Sequence, residues 1–246
     1  MYNFNRLPCS CLWDIRLNLI TAFTLLAFAA NSLLTRMALD GGMIDPLSFT
    51  TLRLSSGALV LLPLARLVSP SKSLPAAKGS WGSGLALFAY AAPFSLAYVS
   101  LSTGMGALIL FGAVQVTMLT AALKSGEHLG MAQWVGTVTA VAGLVYLVLP
   151  GLAAPDPLGA ALMGAAGIAW GVYSLRGRGA LAPVAMTAGN FLRAAPLALI
   201  VSMVALSSRH LQPFGILLAL TSGMVTSGLG YVLVTRFTFY VSRFTF

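Results

Sequence analysis

Eight long apolar runs divide this chain, and they constrain its fold more than any other feature of the sequence. Each is about as long as the roughly 20 residues that a helix needs to cross a bilayer. Their apolar residues do not alternate with period two, which argues against the strands of a membrane barrel. The pattern therefore predicts an all-α, polytopic bundle of about eight transmembrane helices. The runs cover residues 17–38, 46–67, 81–101, 104–123, 129–149, 157–175, 182–206 and 213–234.

The composition excludes a water-soluble globular domain. Hydrophobic residues make up 58% of the 246 residues and charged residues only 8%, whereas soluble domains carry about 25% charged residues. The net charge of +9 comes from Lys and Arg residues scattered between the runs, not from a basic block that could bind a phosphate backbone. We therefore expect the lipid bilayer as a partner, and no nucleic acid.

The first run also has features of a secretory signal. Arg6 and Arg16 supply positive charge near its start, and Ala27–Ala29 resembles a cleavage site. However, the apolar pattern continues through Met37, and seven further runs follow. A retained first helix is therefore the favoured interpretation.

The distribution of basic residues predicts which side of the membrane each loop faces. If the N-terminus is inside, ten Lys and Arg residues lie in inner segments, and only Arg36 and Arg209 lie in outer segments. This asymmetry matches the excess of positive charge in cytoplasmic loops. Residues 1–16 are then a cytoplasmic N-terminal segment, and both termini of this inner-membrane protein face the cytoplasm.

A weak internal repeat relates the first three runs to the last three. Thr50–Arg53 aligns with Asn190–Arg193, and Ser95–Tyr98 aligns with Gly228–Tyr231. The repeat unit holds five helices, so consecutive units cross the membrane in opposite directions. Inverted repeats are typical of secondary transporters, in which the substrate site lies between the two halves.

This repeat divides the chain into unequal parts. Residues 17–149 form the first five-helix unit, residues 157–234 supply three helices of a second unit, and residues 235–246 form an irregular tail with a near duplication. Two complete units need ten spans. Three expectations therefore stay open: a transporter, a truncated membrane protein that does not transport, or a half-transporter that needs a partner chain, for example in a homodimer.

Three groups of residues form a pattern in this chain: Asn31 with Pro46, Phe49 and Arg53; Gly126–Leu129 with Gln133, Gly136 and Gly143; and Ala97-Tyr98 with Gly230-Tyr231. This pattern resembles the EamA-like branch of the drug/metabolite transporter superfamily. The resemblance covers about residues 17–233. It implies ten helices in two inverted repeats, and export or exchange of metabolites, amino acids or drugs. The family usually has a proline midway along helix 4, where this chain has residues 112–115, Gly-Ala-Val-Gln.

Two arginines inside the predicted spans are the sharpest candidates for substrate contact. A charge at mid-bilayer costs roughly 2.5–3.5 kcal/mol on insertion scales. No Asp or Glu lies inside a span to neutralise Arg53 or Arg193. Backbone carbonyls, water, or an anionic group on the substrate could satisfy them. A purely structural role and snorkelling to the interface are the alternatives.

Polar and aromatic residues in other runs complete the candidate substrate site. Asn31 lies on a helical stripe with Thr21, Thr24 and Thr35, and Gln115 stands in an otherwise apolar part of helix 4. Interhelical hydrogen bonding, packing and interface anchoring are alternative roles for these residues. The predicted substrate-binding residues are Asn31, Arg53, Tyr98, Gln115, Trp170, Asn190 and Arg193.

The sequence shows no catalytic or metal-binding constellation. His128 and His210 lie in loops on opposite sides of the predicted membrane, and the five acidic residues lie near span ends or in loops. Cys9 and Cys11 are too close in sequence for an unstrained disulfide, and no histidine is near them. We therefore expect no enzyme activity, no cofactor and no bound metal. Without intramembrane carboxylates, exchange, facilitated diffusion or ion binding by backbone carbonyls is favoured over a proton relay.

Overall fold

The fold of the chain is known from a computed structural model that describes residues 9–68, 78–126, 130–148, 154–204 and 210–230. These residues are almost entirely helical and contain no strand, which confirms the predicted all-α class for this part of the chain. The last described α-helix continues directly into a π-helix, Ser222–Leu229. The α-helices are α1 (Cys9–Asp40), α2 (Pro46–Val68), α3 (Trp81–Ala97), α4 (Thr103–Lys124), α5 (Met131–Val148), α6 (Pro157–Arg176), α7 (Pro183–Val204) and α8 (Pro213–Thr221).

Five of these helices contain stretches that are long and apolar enough to cross a membrane. This result indicates a multi-pass helical membrane protein, as the composition predicts. The other helices are shorter, or are described over shorter apolar stretches, so the number of eight spans stays a prediction. The five stretches are Thr21–Asp40, Pro46–Val68, Thr103–Lys124, Pro157–Arg176 and Pro183–Met203.

The helix boundaries differ from the apolar runs mainly at α1 and α3. Helix α1 begins at Cys9, eight residues before its apolar run, so part of the predicted N-terminal segment is helical. A helix can extend beyond the bilayer through charged residues, whereas an apolar run marks only the part in contact with lipid. Helix α3 ends at Ala97 and is capped by Tyr98, although its apolar run continues to residue 101.

Helices α2 and α7 form the centre of the bundle and make its most extensive contact. Helix α3 packs on α6 and α7, while α8 and the π-helix pack on α1 and α2. Helix α5 packs chiefly against α4 and exposes Val135, Val138 and Val145. Such exposed apolar faces are expected in a membrane bundle, because lipid tails solvate them as well as other apolar side chains do.

Two glycines on α6 permit a close approach of this helix to α4. A Cβ atom on Gly167 would lie 2.6 Å from both the Cβ of Ala113 and the carbonyl oxygen of Leu110. A Cβ atom on Gly171 would lie 2.7 Å from the side chain of Thr117. The pair has the GxxxG spacing that is typical of closely packed membrane helices. Larger residues at these positions would push α6 away from α4.

The connection between α1 and α2 is joined to the chain just before α8. Ile44 and Leu211 form an isolated antiparallel β-bridge. This bridge joins the two segments at one end of the bundle. Two backbone hydrogen bonds flank it, from Asp45 N to the carbonyl of His210 over 3.1 Å and from Gln212 N to the carbonyl of Met43 over 2.8 Å.

Candidate functional site

A small cavity lies where α1, α2, α3, α6, α7 and the π-helix meet. Its open volume is about 10 Å³, which is room for about one water molecule. Three predicted substrate-binding residues, Asn31, Arg53 and Trp170, line it together although they lie on three different helices. Its lining residues are Phe28, Asn31, Arg53, Leu54, Leu87, Tyr90, Trp170, Phe191 and Thr226.

The guanidinium of Arg53 is buried in the wall of this cavity. The residue is 1% exposed, and its Nε and Nη1 atoms have no hydrogen-bond partner among the described groups. The central carbon of the guanidinium lies 4.9 Å from the ring centre of Phe94 and 5.3 Å from that of Tyr90. These distances allow cation–π attraction, which offsets part of the desolvation cost. The N–H groups on Nε and Nη1 still lack acceptors.

The acidic side chains that the structure describes lie at helix ends, and none of them lines the cavity. Asp40 forms an ion pair with Arg36. Asp45 accepts a hydrogen bond from the backbone N–H of Ser48 over 2.9 Å. Asp156 accepts one from the first turn of α6 over 2.6 Å, as an N-cap does. The lining of the cavity therefore carries one charge, and it is positive.

Asn31 links α1 to the π-helix at the edge of the cavity. Its Oδ1 atom accepts hydrogen bonds from Ser222 Oγ over 2.9 Å and from Thr226 Oγ1 over 3.1 Å. Thr226 Oγ1 also lies 2.6 Å from the carbonyl oxygen of Ser222. Because this hydroxyl has one proton, it donates to only one of these two acceptors at a time. Asn31 thus makes interhelical hydrogen bonds and also lines the cavity.

The π-helix brings Thr226 to the cavity, and neither was predicted from the sequence. A Cβ atom on Gly223 would collide with Ser56 Oγ and with the carbonyl of Arg53. Glycine at this position therefore lets the π-helix lie directly against the turn of α2 that carries Arg53. π-Helical segments are rare and often occur at functional sites. The only signal in the sequence was the group of small and hydroxyl residues in Ser222–Leu229.

Aromatic rings form a continuous wall from α1 and α4 to α3. The ring of Trp170 lies 5.1 Å from Phe28, 5.7 Å from Phe111 and 5.4 Å from Tyr90, measured between centres. Tyr90 in turn lies 5.3 Å from Phe94. These tilted and edge-on arrangements are favourable for aromatic pairs. The cavity therefore has both an aromatic part and a cationic, hydrogen-bonding part.

The structure places Tyr98 and Gln115 outside the cavity lining. Tyr98 is fully buried at the end of α3, where its hydroxyl donates to the carbonyl of Thr103 over 3.3 Å. Gln115 is exposed on α4. It lies two residues from both Ala113 and Thr117, which contact α6, and residues two apart do not share a helix face. A single polar residue in an apolar helix did not reveal which face packs inward.

Asn190 and Arg193 belong to a second polar group, near the start of α3. Asn190 Oδ1 accepts a hydrogen bond from Ser80 N over 3.0 Å, and its Nδ2 donates to the hydroxyl of Tyr173 over 3.5 Å. Arg193 donates to a carbonyl of its own helix over 2.9 Å, and its guanidinium lies 5.9 Å from the ring centre of Trp81. The two arginines that the repeat aligns therefore have different surroundings. Arg193 is engaged with its neighbours, whereas Arg53 has unpaired donors.

No protein-family model matches this chain. The uncharacterized protein PA1977 of Pseudomonas aeruginosa is 50% identical to it over 220 residues, which are 89% of this chain and 75% of that protein. This chain belongs to the same family as PA1977. A structure described as a crystal structure of a protein has a TM-score of 0.48 at 23% identity, covering 89% of this chain and 88% of the other. A likeness of that degree supports no functional conclusion. Functional conclusions therefore rest on the cavity.

Proposed function

We propose that this protein, and with it the family of PA1977, is a secondary transporter of small solutes that resembles the EamA-like transporters. The observation that supports this most directly is Arg53, a buried cation with unpaired donors in the wall of a cavity between helices. Ionisable residues inside a membrane are costly and typically mark substrate or ion pathways. Buried donors without a protein acceptor need one from water or from a solute, and the cavity that Arg53 lines is where either would bind.

The order of helix packing supports an inverted repeat. The repeat makes α1, α2 and α3 equivalent to α6, α7 and α8. The observed contact of α1 with α8 then corresponds to the contact of α6 with α3, which is also observed. In the same way, the contact of α2 with α8 corresponds to that of α7 with α3, and the central α2–α7 contact corresponds to itself. In both halves a glycine permits close packing on the arginine helix, Gly84 of α3 against Arg193 and Gly223 of the π-helix against Arg53, although the two glycines are not equivalent positions of the repeat. The cavity lies at the interface of these halves, where such transporters bind substrate.

The described conformation corresponds to a closed state in this proposal. The cavity has room for about one water, and residues 43–45 are paired with residues 210–212 at one end of the bundle. A solute can enter only if helices separate. Alternating access supplies such a movement, as one half of the bundle rocks against the other around a fixed site.

The orientation that we propose follows the positive-inside rule. It places the Ile44–Leu211 bridge outside and both termini in the cytoplasm of the cell. Reporter fusions after residues 40 and 153 should then report an external location, and fusions after residues 75 and 178 an internal one. The reverse pattern would refute this orientation.

A second candidate is a half-transporter that needs a partner chain. The observation in its favour is the edge position of α5, which packs chiefly on α4 and exposes Val138. In this alternative, α4 and α5 of two copies face each other. Two results would favour the half-transporter. A cysteine at Val138 should form efficient cross-links between two copies, and transport should be lost in vesicles that contain only one copy of the chain each.

Solute exchange in lipid vesicles tests the transport proposal. Purified protein should exchange small organic acids or amino acids faster than empty vesicles do. Asn31→Leu should reduce this exchange strongly, because Asn31 lines the cavity and holds the π-helix to α1. Gln115→Leu is the matched control, since Gln115 is exposed on α4, and it should leave exchange unchanged. A folded protein without any exchange would refute the proposal. Equal losses of exchange in Asn31→Leu and Gln115→Leu would mean that the solute pathway does not run through the cavity.

A further inference from the structure

We infer that the cavity recognises a small organic monocarboxylate with an aromatic or apolar body. The inference rests on the proposed transport function and specifies the class of its substrate. The lining carries one charged group, Arg53, and none of the described acidic side chains belongs to it. Asp40 and Asp156 are paired at helix ends, and Asp45 accepts from Ser48 N through Oδ1 while its Oδ2 is buried without a partner. A solute with one negative charge would bring the site to neutrality. This matters because an uncompensated charge is costly inside a bilayer.

The donors that face the cavity fit a carboxylate. The Nε and Nη1 atoms of Arg53 are buried without hydrogen-bond partners, and a guanidinium presents its N–H groups in a planar fork that matches a carboxylate. Asn31, whose amide nitrogen can donate, lies in the same lining, whereas the single proton of the Thr226 hydroxyl is already given to Asn31 Oδ1 or to the carbonyl of Ser222. A dianion such as phosphate would leave a second negative charge unpaired. A cationic solute would be repelled by Arg53.

The rest of the lining fits an apolar body. Six of the nine lining residues are aliphatic or aromatic: Phe28, Leu54, Leu87, Tyr90, Trp170 and Phe191. Their side chains can replace the hydration of a ring or an alkyl group, but not that of several hydroxyls. A zwitterionic amino acid fits less well, because its ammonium group would meet no acidic side chain in this lining. We therefore expect a carboxylate without an amino group to bind better than the corresponding amino acid.

Three ligands of nearly equal shape distinguish the contribution of the ligand's charge to binding from that of its apolar body. Phenylacetate, phenylacetamide and phenethylamine are anionic, neutral and cationic at pH 7. Phenylacetate should raise the melting temperature Tm of the purified protein in lipid nanodiscs as its concentration increases. The amide should need a roughly tenfold or higher concentration for the same rise, because it lacks a charge-assisted hydrogen bond. The amine should give no rise, and acetate, which lacks the body, should give less than phenylacetate.

Variants of the protein test whether the rise in Tm with phenylacetate depends on Arg53. Arg53→Met should remove the preference for phenylacetate, Arg53→Lys should retain part of it, and Gln115→Leu should behave like the unchanged protein. The inference is overturned if the amide or amine binds as well as the acid, if Arg53→Met responds as the unchanged protein does, or if none of the ligands raises Tm. Exchange of neutral or cationic solutes without binding of phenylacetate would refute this inference alone. Binding of phenylacetate without any exchange would instead refute the transport proposal.

Discussion

Cysteines introduced at Ile44 and Leu211 should form a disulfide that stops transport, and reduction should restore it. The two hydrogen bonds of the β-bridge flank this pair, so it is of the non-hydrogen-bonded type, with Cα atoms about 4.5 Å apart. That separation lies within the range of a disulfide. The covalent link would hold the α1–α2 connection to the start of α8, so this end of the bundle could not open. Exchange by the oxidised protein should fall to the level of empty vesicles.

Three controls make this result specific. Cys9 and Cys11 are first replaced by serine, so the introduced pair supplies the only thiols in the sequence. Each single cysteine variant should transport normally under oxidising conditions. Reduction of the double variant should restore exchange within the same vesicles. Full exchange by protein that mass spectrometry shows to be completely cross-linked would mean that this end of the bundle does not open during transport.

Replacement of Arg53 by methionine should make the protein more stable while abolishing transport. Methionine is unbranched, apolar and uncharged, and even buried ion pairs can often be replaced by apolar residues with no loss or with a gain of about 1–4 kcal/mol. The cation–π contacts with Tyr90 and Phe94 would be lost, at about 0.5–2 kcal/mol. A net gain of about 1 kcal/mol corresponds to a rise in Tm of about 2–4 °C for a chain of this size. Thermal unfolding in detergent and vesicle exchange measure the two effects.

Arg193→Met is the matched comparison. Arg193 donates to a carbonyl of its own helix and lies near the ring of Trp81, so its replacement removes satisfied contacts and should lower Tm or leave it unchanged. A difference in the direction of the two Tm changes would show that Arg53 is kept at the expense of stability, as functional residues often are. A lower Tm with unchanged exchange in Arg53→Met would instead assign Arg53 a structural role.

The helices could be predicted from the sequence because lipid imposes a simple pattern on them. A span needs an unbroken apolar stretch of defined length, so residues 46–67 and 157–175 predict α2 and α6 almost to the residue. The start of α1 could not be predicted in the same way. Its first turns contain polar residues such as Asp14, and nothing in an apolar pattern reports a helix that extends beyond the bilayer.

The candidate site was predictable only in part. Arg53 and Asn31 stood out because polar groups are rare and costly in apolar helices. The position of Gln115 on its helix was not predictable, because an apolar helix shows little difference between the face toward protein and the face toward lipid. Thr226 was missed for another reason. Its place at the cavity depends on π-helical geometry in Ser222–Leu229, which shifts side chains relative to a continued α-helix.

The single positive charge of the cavity also makes the proposed cycle sensitive to voltage. An empty carrier would hold the charge of Arg53, whereas a carrier loaded with a monocarboxylate would be neutral at this site. Moving one elementary charge through the membrane field is worth roughly 2.3 kcal/mol per 100 mV. A membrane potential that is negative inside would therefore favour the conformation in which the empty, positively charged site is open to the cytoplasm and can bind anions. The return of the loaded, neutral site to the outside would not depend on the potential. The membrane potential alone would then drive the export of organic anions, without a coupling ion.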